Sequence, residues 1–162
     1  PSEPNSKYEV KMVDFSEFHL ACVENKNFSF SKIDSTLFSS GFGMVAGHLA
    51  SNKIESNYGA YSVFKNYNES TQTSDIYIGM SVNAHFDSKD KVQCLDIPNS
   101  KAIMVEYYGE YSKTGEAYGS LINYEKENNL KIDYAVEHYV TDPKSVNYDY
   151  SKVLTKIYFV IK

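Results

Sequence analysis

Apolar and polar residues alternate in several short stretches of the chain, and two longer stretches have the spacing of a helix. The alternation at 10–15 (VKMVDF) and 92–97 (VQCLDI) is typical of strands with one buried face. Each of these stretches is followed by a second apolar run, at 19–24 and at 101–108. The pattern therefore predicts one or two strands ahead of each helix.

The helices are predicted at about 35–52 and 114–128. Asp34 can cap the first, because its carboxylate accepts hydrogen bonds from the free amides of the first turn. The predicted apolar stripe of this helix comprises Leu37, Met44, Val45 and Leu49, with Phe38 and Phe42 as further members. The stripe of the second helix comprises Ala117, Tyr118, Leu121 and Ile122. The glycines around Phe42 predict a loosened or kinked helix at 41–43, not a phosphate loop.

The same order of elements occurs twice along the chain. Each helix leads to a strand and then to a closing strand, at 75–82 and 154–161, and the polar segment 84–91 joins the halves. We predict an α+β fold in which a flexible leader at 1–7 precedes one domain, 8–162, built from βαββ repeats at about 8–83 and 91–162. Two such units with antiparallel sheets can pair about a pseudo-twofold axis and enclose a ligand groove, since ligand sites favour concave junctions.

Composition narrows the possible functions. The chain has fifteen Tyr, nine Phe and no Trp, which suits a sheet with a ligand-facing side but is also common in ordinary strands. Its net charge is -5, and every basic residue is Lys. An acidic chain without Arg is a poor nucleic-acid binder, so we expect no direct contact with nucleic acid.

Targeting and metal signals are missing from the sequence. There is no apolar run of about 18 residues and no visible signal peptide, so we expect a cytoplasmic protein that does not contact a membrane. Two cysteines do not make a disulfide scaffold, and the four histidines lack metal-ligand spacing. We therefore predict neither a metal site nor a cofactor.

Several motifs of the second half resemble those of a known family. Gly109-Glu110-Tyr111 corresponds to a G-P-Y motif, 137–139 to E-x-Y, 142–143 to a D-P turn, and 155–160 to a closing T-x-I strand. Residues 98–162 thereby resemble the gyrase-inhibitor-like, or AraC-type effector-binding, domains. Glu110 replaces the family's first Pro, and the Pro of the closing strand is missing. The first half is assigned to the family through the repeat alone.

This resemblance implies a pair of βαββ units around a cleft. Members of the family mostly sense hydrophobic cations and other small molecules, and many are fused to a DNA-binding helix-turn-helix. The acidic residue of E-x-Y lies in the cleft, and Glu137 matches it. The expected function is small-molecule binding, as in multidrug sensing, either within a bacterial transcription regulator or as a stand-alone protein. A separate DNA-binding domain or a partner protein would complete a regulator.

The predicted ligand contacts surround Glu137. In a strand at 134–140, Glu137 and Tyr139 share one face, and the opposite, more apolar face is expected to pack on the helices. Glu137 would then point into the groove with Tyr61 opposite it. The full set of predicted ligand-binding residues is Glu137, Tyr139, Tyr61, Tyr107, Tyr111, Tyr158 and Phe42.

Two other functions remain open from the sequence. A hydrolase of small electrophilic compounds could use Glu137 as a base, with Tyr61, Tyr107 or Tyr111 as a proton donor. An inhibitory role through binding a protein target is the third possibility. No Ser-His-Asp or Cys-His arrangement can be placed, and a binding domain needs only the cleft, its aromatic walls and Glu137. Binding is therefore the favoured interpretation.

Overall fold

The computed structural model describes residues 8–162, so the leader predicted at 1–7 lies outside the described residues. Two strands come before each helix and two follow it, and the predicted α+β class with antiparallel sheets is confirmed. The elements are β1 (Lys11–Phe15), β2 (Phe18–Ser29), α1 (Ser35–Ser51), β3 (Ser56–Asn68), β4 (Thr73–Val82), β5 (Val92–Ile97), β6 (Ser100–Tyr108), α2 (Gly115–Glu127), β7 (Ile132–Tyr139) and β8 (Leu154–Ile161).

The chain divides into two compact units. The amino-terminal unit, Ser16–Asn99, has α1 and four antiparallel strands in the order β3-β4-β2-β5. The carboxy-terminal unit combines β1 with Ser100–Lys162 and has α2 and the strand order β1-β6-β8-β7. The opening strand of each sequence half thus pairs with a strand from the other half. The units therefore divide the chain at other points than the repeats predicted at 8–83 and 91–162.

Helix α1 follows its predicted bounds closely. Asp34 caps it by accepting a hydrogen bond from the Leu37 amide at 2.9 Å. Its buried residues are Gly41, Val45 and Leu49. Met44, predicted in the apolar stripe, is 43% exposed and lies outside the buried face. The helix assignment is continuous through 41–43, where a loosened or kinked helix was predicted.

Gly41 allows α1 to lie close against the sheet. A Cβ atom at this position would come within 2.9 Å of Ile78 Cγ2, whereas one at Gly43 would meet nothing within 4 Å. We expect Gly43→Ala to raise the free energy of unfolding by about 0.5–1 kcal/mol, because alanine favours the helix. Gly41→Ala should instead lower it by about 1–3 kcal/mol through overpacking. Urea denaturation of both variants checks this, and equal changes would contradict the packing described.

Helix α2 covers one face of the carboxy-terminal sheet. Ala117 and Leu121 are buried in a cluster formed with β6 and β8, and Tyr118 packs against the same cluster. Ile122, predicted in the same stripe, is 38% exposed and lies outside it. The sheet residues of this cluster are Ile103, Val105, Tyr107, Ile157 and Phe159. Within 8–162, neither helix combines the length and the apolar character needed to cross a bilayer.

Candidate functional site

Strand β7 places Glu137 on the sheet face that meets α2. Ala135, on the same face, packs against the α2 cluster, and Glu137 is bonded to Tyr118 of that helix. The prediction that the Tyr134 and Val136 face would meet the helix is therefore wrong. Both of those residues are buried as well, at 7% and 0% exposure. Both faces of β7 are covered, so the more apolar face was not a guide to the face on which α2 packs.

Two tyrosine hydroxyls bind the Glu137 carboxylate, one at each oxygen. The Tyr139 hydroxyl donates to Oε1 at 2.8 Å, and the Tyr118 hydroxyl donates to Oε2. Tyr139 was predicted at the site, whereas Tyr118 was assigned only to the helix stripe. Its hydroxyl could have indicated this role, because a tyrosine in the buried stripe of a helix needs a hydrogen-bond partner.

The carboxylate is held in surroundings that disfavour its charge. Removal from water raises the pKa of Glu137, and the hydrogen bonds from Tyr118 and Tyr139 oppose this without cancelling it. Burial and the neighbouring carboxylate also raise the pKa of Tyr118 well above its usual value. As a whole residue, Glu137 keeps partial solvent exposure. The site is therefore a desolvated acid in a residue that is not wholly buried.

An aromatic cluster, defined as Tyr111, Tyr118, Tyr139, Tyr150 and Phe159, surrounds this acid and extends to the surface. The rings of Tyr111 and Tyr139 meet edge to face with centroids 5.5 Å apart, and Tyr111 meets Tyr150 in the same way at 6.5 Å. At the inner end, the Tyr118 and Phe159 centroids lie 6.0 Å apart. Tyr111 is 43% exposed, so the cluster has an outer, accessible end. Tyr150 and Phe159 were not predicted at the site. Tyr150 lies outside the matched motifs, and Phe159 was matched only as part of the closing strand at 155–160.

Tyr107 has a structural role in the turn after β6. It is 4% exposed, and its hydroxyl donates to the Glu110 carbonyl at 2.6 Å. Gly109 has a φ of 154°, and a Cβ atom there would lie 2.6 Å from that hydroxyl. Gly109 is therefore required beside Tyr107, and together they shape the turn that presents Tyr111.

A cavity of about 560 Å³ opens beside the aromatic cluster. Tyr150 belongs to both, and Tyr107, Gly109 and Glu116 also line the cavity. Its volume is in the range usual for sites that hold small organic ligands.

The remaining predicted contacts lie elsewhere. Tyr158 is on the sheet face opposite Glu137, where its ring contacts Phe15 with centroids 4.8 Å apart. Tyr61 and Phe42 belong to the amino-terminal unit; Tyr61 stacks on Phe18 at 4.6 Å, and Phe42 is half-buried on α1. Of the predicted set, the structure brings Tyr139 into contact with Glu137 and Tyr111 into contact with Tyr139.

Solved structures with the same fold include a protein in complex with DNA and a ligand-bound protein. The C-terminal domain of EcmrR is 15% identical, with a TM-score of 0.80 over 96% of this chain and 98% of that one. In a complex of EcmrR with DNA the match covers 57% of the EcmrR chain. SAV2435, solved bound to tetraphenylphosphonium, is 12% identical with a TM-score of 0.64 over 95% of this chain and 94% of that one.

A more distant structure, a hydrolase from Listeria innocua, is 9% identical with a TM-score of 0.60 over 98% of this chain and 94% of that one. At these identities the likeness shows the fold alone. None of the curated proteins matches the chain.

The family resemblance found in residues 98–162 is confirmed, and it extends to the first half of the chain. The family model for the GyrI-like small molecule binding domain matches residues 8–162, and the chain therefore belongs to the GyrI-like family of small-molecule-binding domains.

Proposed function

We propose that this domain binds a lipophilic aromatic cation in its carboxy-terminal unit, with Glu137 as the counter-charge. The observation that carries the proposal is the desolvated carboxylate at the inner end of the aromatic cluster. An ionised carboxylate that is removed from water and has no opposite charge beside it is energetically costly. A bound cation offsets that cost, and the aromatic faces around it attract the same cation.

The hydrogen bonds at Glu137 favour one kind of cation. Both carboxylate oxygens already accept a bond from a tyrosine hydroxyl. A ligand is therefore selected by its positive charge and aromatic surface, and it needs no N–H donor of its own. Quaternary ammonium and phosphonium compounds have these properties. SAV2435, a protein of the same fold, is solved with tetraphenylphosphonium, which supports this choice of ligand class.

We infer that ligand binding serves sensing. Membership of a small-molecule-binding family and the likeness to the EcmrR C-terminal domain support an effector-binding role. The acidic chain has a net charge of -5 and no Arg, which favours attraction of cations and disfavours direct contact with DNA. With a DNA-binding segment or a DNA-binding partner, ligand binding by this domain would regulate transcription. Without one, the domain would act as a stand-alone ligand-binding protein.

The pH dependence of binding tests the role of Glu137. Tetraphenylphosphonium keeps its charge at every pH, so only the protein titrates. Because the pKa of Glu137 is raised, lowering the pH through that pKa protonates the acid and removes the counter-charge. We expect affinity, measured by calorimetry, to rise with pH through this range and then level off. In Glu137→Gln the profile should be flat, and a profile unchanged by this substitution would contradict the proposal.

A hydrolase is the second candidate, because an acid bonded to tyrosine hydroxyls can activate water. The Listeria innocua hydrolase of the same fold is consistent with this alternative. The tyrosines on the Glu137 carboxylate are Tyr118 and Tyr139, so these replace Tyr61, Tyr107 and Tyr111 as candidate proton donors. Turnover of small electrophilic esters or epoxides that is lost in both Glu137→Gln and Tyr139→Phe would support this candidate; saturable binding of a cation without turnover supports the sensor.

A further inference from the structure

Four potential metal ligands meet in the amino-terminal unit, and one of them, His19, is far from the other three in sequence. His19 lies on β2, Cys94 and Asp96 lie on β5, and His85 lies in the segment 83–91 that leads to β5. Their potential ligand atoms all lie within 4.8 Å of one another. We propose that these four side chains form a binding site for a divalent metal ion of the zinc class.

Two of the strands hold three of the ligands in a fixed arrangement. His19 and Asp96 are directly opposite each other in the β2–β5 ladder, and Cys94 is two residues from Asp96 on the same face of β5. The His19 Nδ1 atom lies 2.7 Å from Asp96 Oδ1, and the Cys94 Sγ atom lies 3.5 Å from the same oxygen. The third contact comes from His85, whose Nδ1 atom lies 3.0 Å from Asp96 Oδ1.

These distances are close to those of a tetrahedral metal site. Zinc binds nitrogen and oxygen at about 2.0–2.2 Å and sulfur at about 2.3 Å, which places neighbouring ligand atoms roughly 3.3–3.8 Å apart. The cluster can reach that geometry through small side-chain movements alone. A metal ion would also replace the direct contacts that both imidazoles make with the Asp96 carboxylate.

The donor set favours a particular class of metal. Two imidazoles, one thiolate and one carboxylate are ligands that zinc accepts together. Magnesium and calcium prefer sites made of oxygen atoms, and a thiolate and two imidazoles do not suit them. The thiolate and the carboxylate together balance the charge of a divalent ion.

Asp87 supplies the outer contact that such sites commonly have. Its Oδ1 atom lies 3.1 Å from His85 Nε2, on the opposite side of the ring from the cluster. When Nε2–H donates to Asp87, Nδ1 keeps its lone pair for the metal. This pairing fixes the tautomer and the orientation that His85 needs as a ligand.

A metal ion bound at this site would cross-link the 83–91 segment to strands β2 and β5. His85 is the one proposed ligand from that segment, and the other three come from the ladder. The proposed role is therefore structural and is separate from Glu137, which belongs to the carboxy-terminal unit. We expect zinc to raise the melting temperature of the wild-type protein and to have no such effect when the ligands are removed.

The test uses the untagged, full chain after treatment with a chelator. Zn²⁺ titrated in competition with a chromogenic chelator should bind with one equivalent, and the double variant His85→Ala/Cys94→Ser should bind at least about a hundredfold more weakly. Asp87→Asn should weaken binding by about 10–100-fold, as is usual for an outer contact. With Co²⁺ in place of Zn²⁺, the wild type should show a sulfur-to-metal charge-transfer band that is absent in Cys94→Ser.

His138→Gln is the control, since it removes an imidazole from the carboxy-terminal unit and should leave binding unchanged. Circular dichroism verifies that each variant is folded. Wild-type protein that binds no stoichiometric Zn²⁺ would overturn the proposal. Equal binding by the folded double variant, or a Co²⁺ band that persists in Cys94→Ser, would also overturn it.

Discussion

Replacing Glu137 by Gln is expected to weaken the binding of tetraphenylphosphonium by at least about tenfold, or roughly 1.4 kcal/mol. The substitution keeps the size of the side chain and an oxygen that can accept a tyrosine hydrogen bond. It removes the negative charge that the desolvated site offers to a cation. Calorimetric titration of both proteins at a pH above the raised pKa of Glu137 measures the effect.

Glu125→Gln is the matched control. Glu125 is another carboxylate of the carboxy-terminal unit whose pKa is raised by burial, and it lies on α2 outside the aromatic cluster. This variant should bind the cation as the wild type does. An uncharged aromatic compound of similar size should bind the wild type and Glu137→Gln equally. Equal affinity of those two proteins for tetraphenylphosphonium would mean that the carboxylate is not its counter-charge.

Gly79→Ala is expected to cause the largest loss of stability, at least about 4 kcal/mol, through a severe steric clash. Gly79 lies in β4 between two strands, opposite Cys22 of β2 and Tyr61 of β3. A Cβ atom at this position would lie 1.8 Å from the carbonyl oxygen of Ala21, so backbone would have to move. Urea denaturation followed by circular dichroism should show an early or missing transition for the amino-terminal unit.

Gly47→Ala provides the comparison within the same unit. Gly47 lies on α1, and a Cβ atom there would meet nothing within 4 Å. This substitution should raise the free energy of unfolding by about 0.5–1 kcal/mol, because it favours the helix. Stability of Gly79→Ala within about 1 kcal/mol of the wild type would be inconsistent with the close approach of β4 to β2.

The sequence predicted the elements well because each leaves a local signal. Helix α1 begins at Ser35 after its Asp34 cap, and the closing strands fall within two residues of their predicted bounds. Strand partners leave no such signal. The apolar alternation of β1 is satisfied equally by any neighbouring strand, so its pairing with β6 could not be predicted from the pattern.

The side chains that meet at Glu137 in the candidate site were predicted in part, for similar reasons. The E-x-Y motif identified Glu137 and Tyr139, since both lie in one strand and on one face. Tyr118 comes from a different element, and its contact with Glu137 depends on how α2 lies on the sheet. The cluster of His19, His85, Cys94 and Asp96 was missed because the spacing of its last three members matches no common metal motif. His19 joins them only through the pairing of β2 with β5, which the sequence does not show.

The most direct test of cation binding is the pKa of Glu137 itself, measured with and without ligand. Carbon-13 NMR of protein labelled at the glutamate carboxyl carbons can follow this titration, with Glu137→Gln identifying the resonance. In the free protein we expect a pKa above the ordinary glutamate value. Saturation with tetraphenylphosphonium should lower that pKa, because the bound cation favours the ionised acid. The same pKa in both states would contradict the proposal that Glu137 is the counter-charge of the ligand.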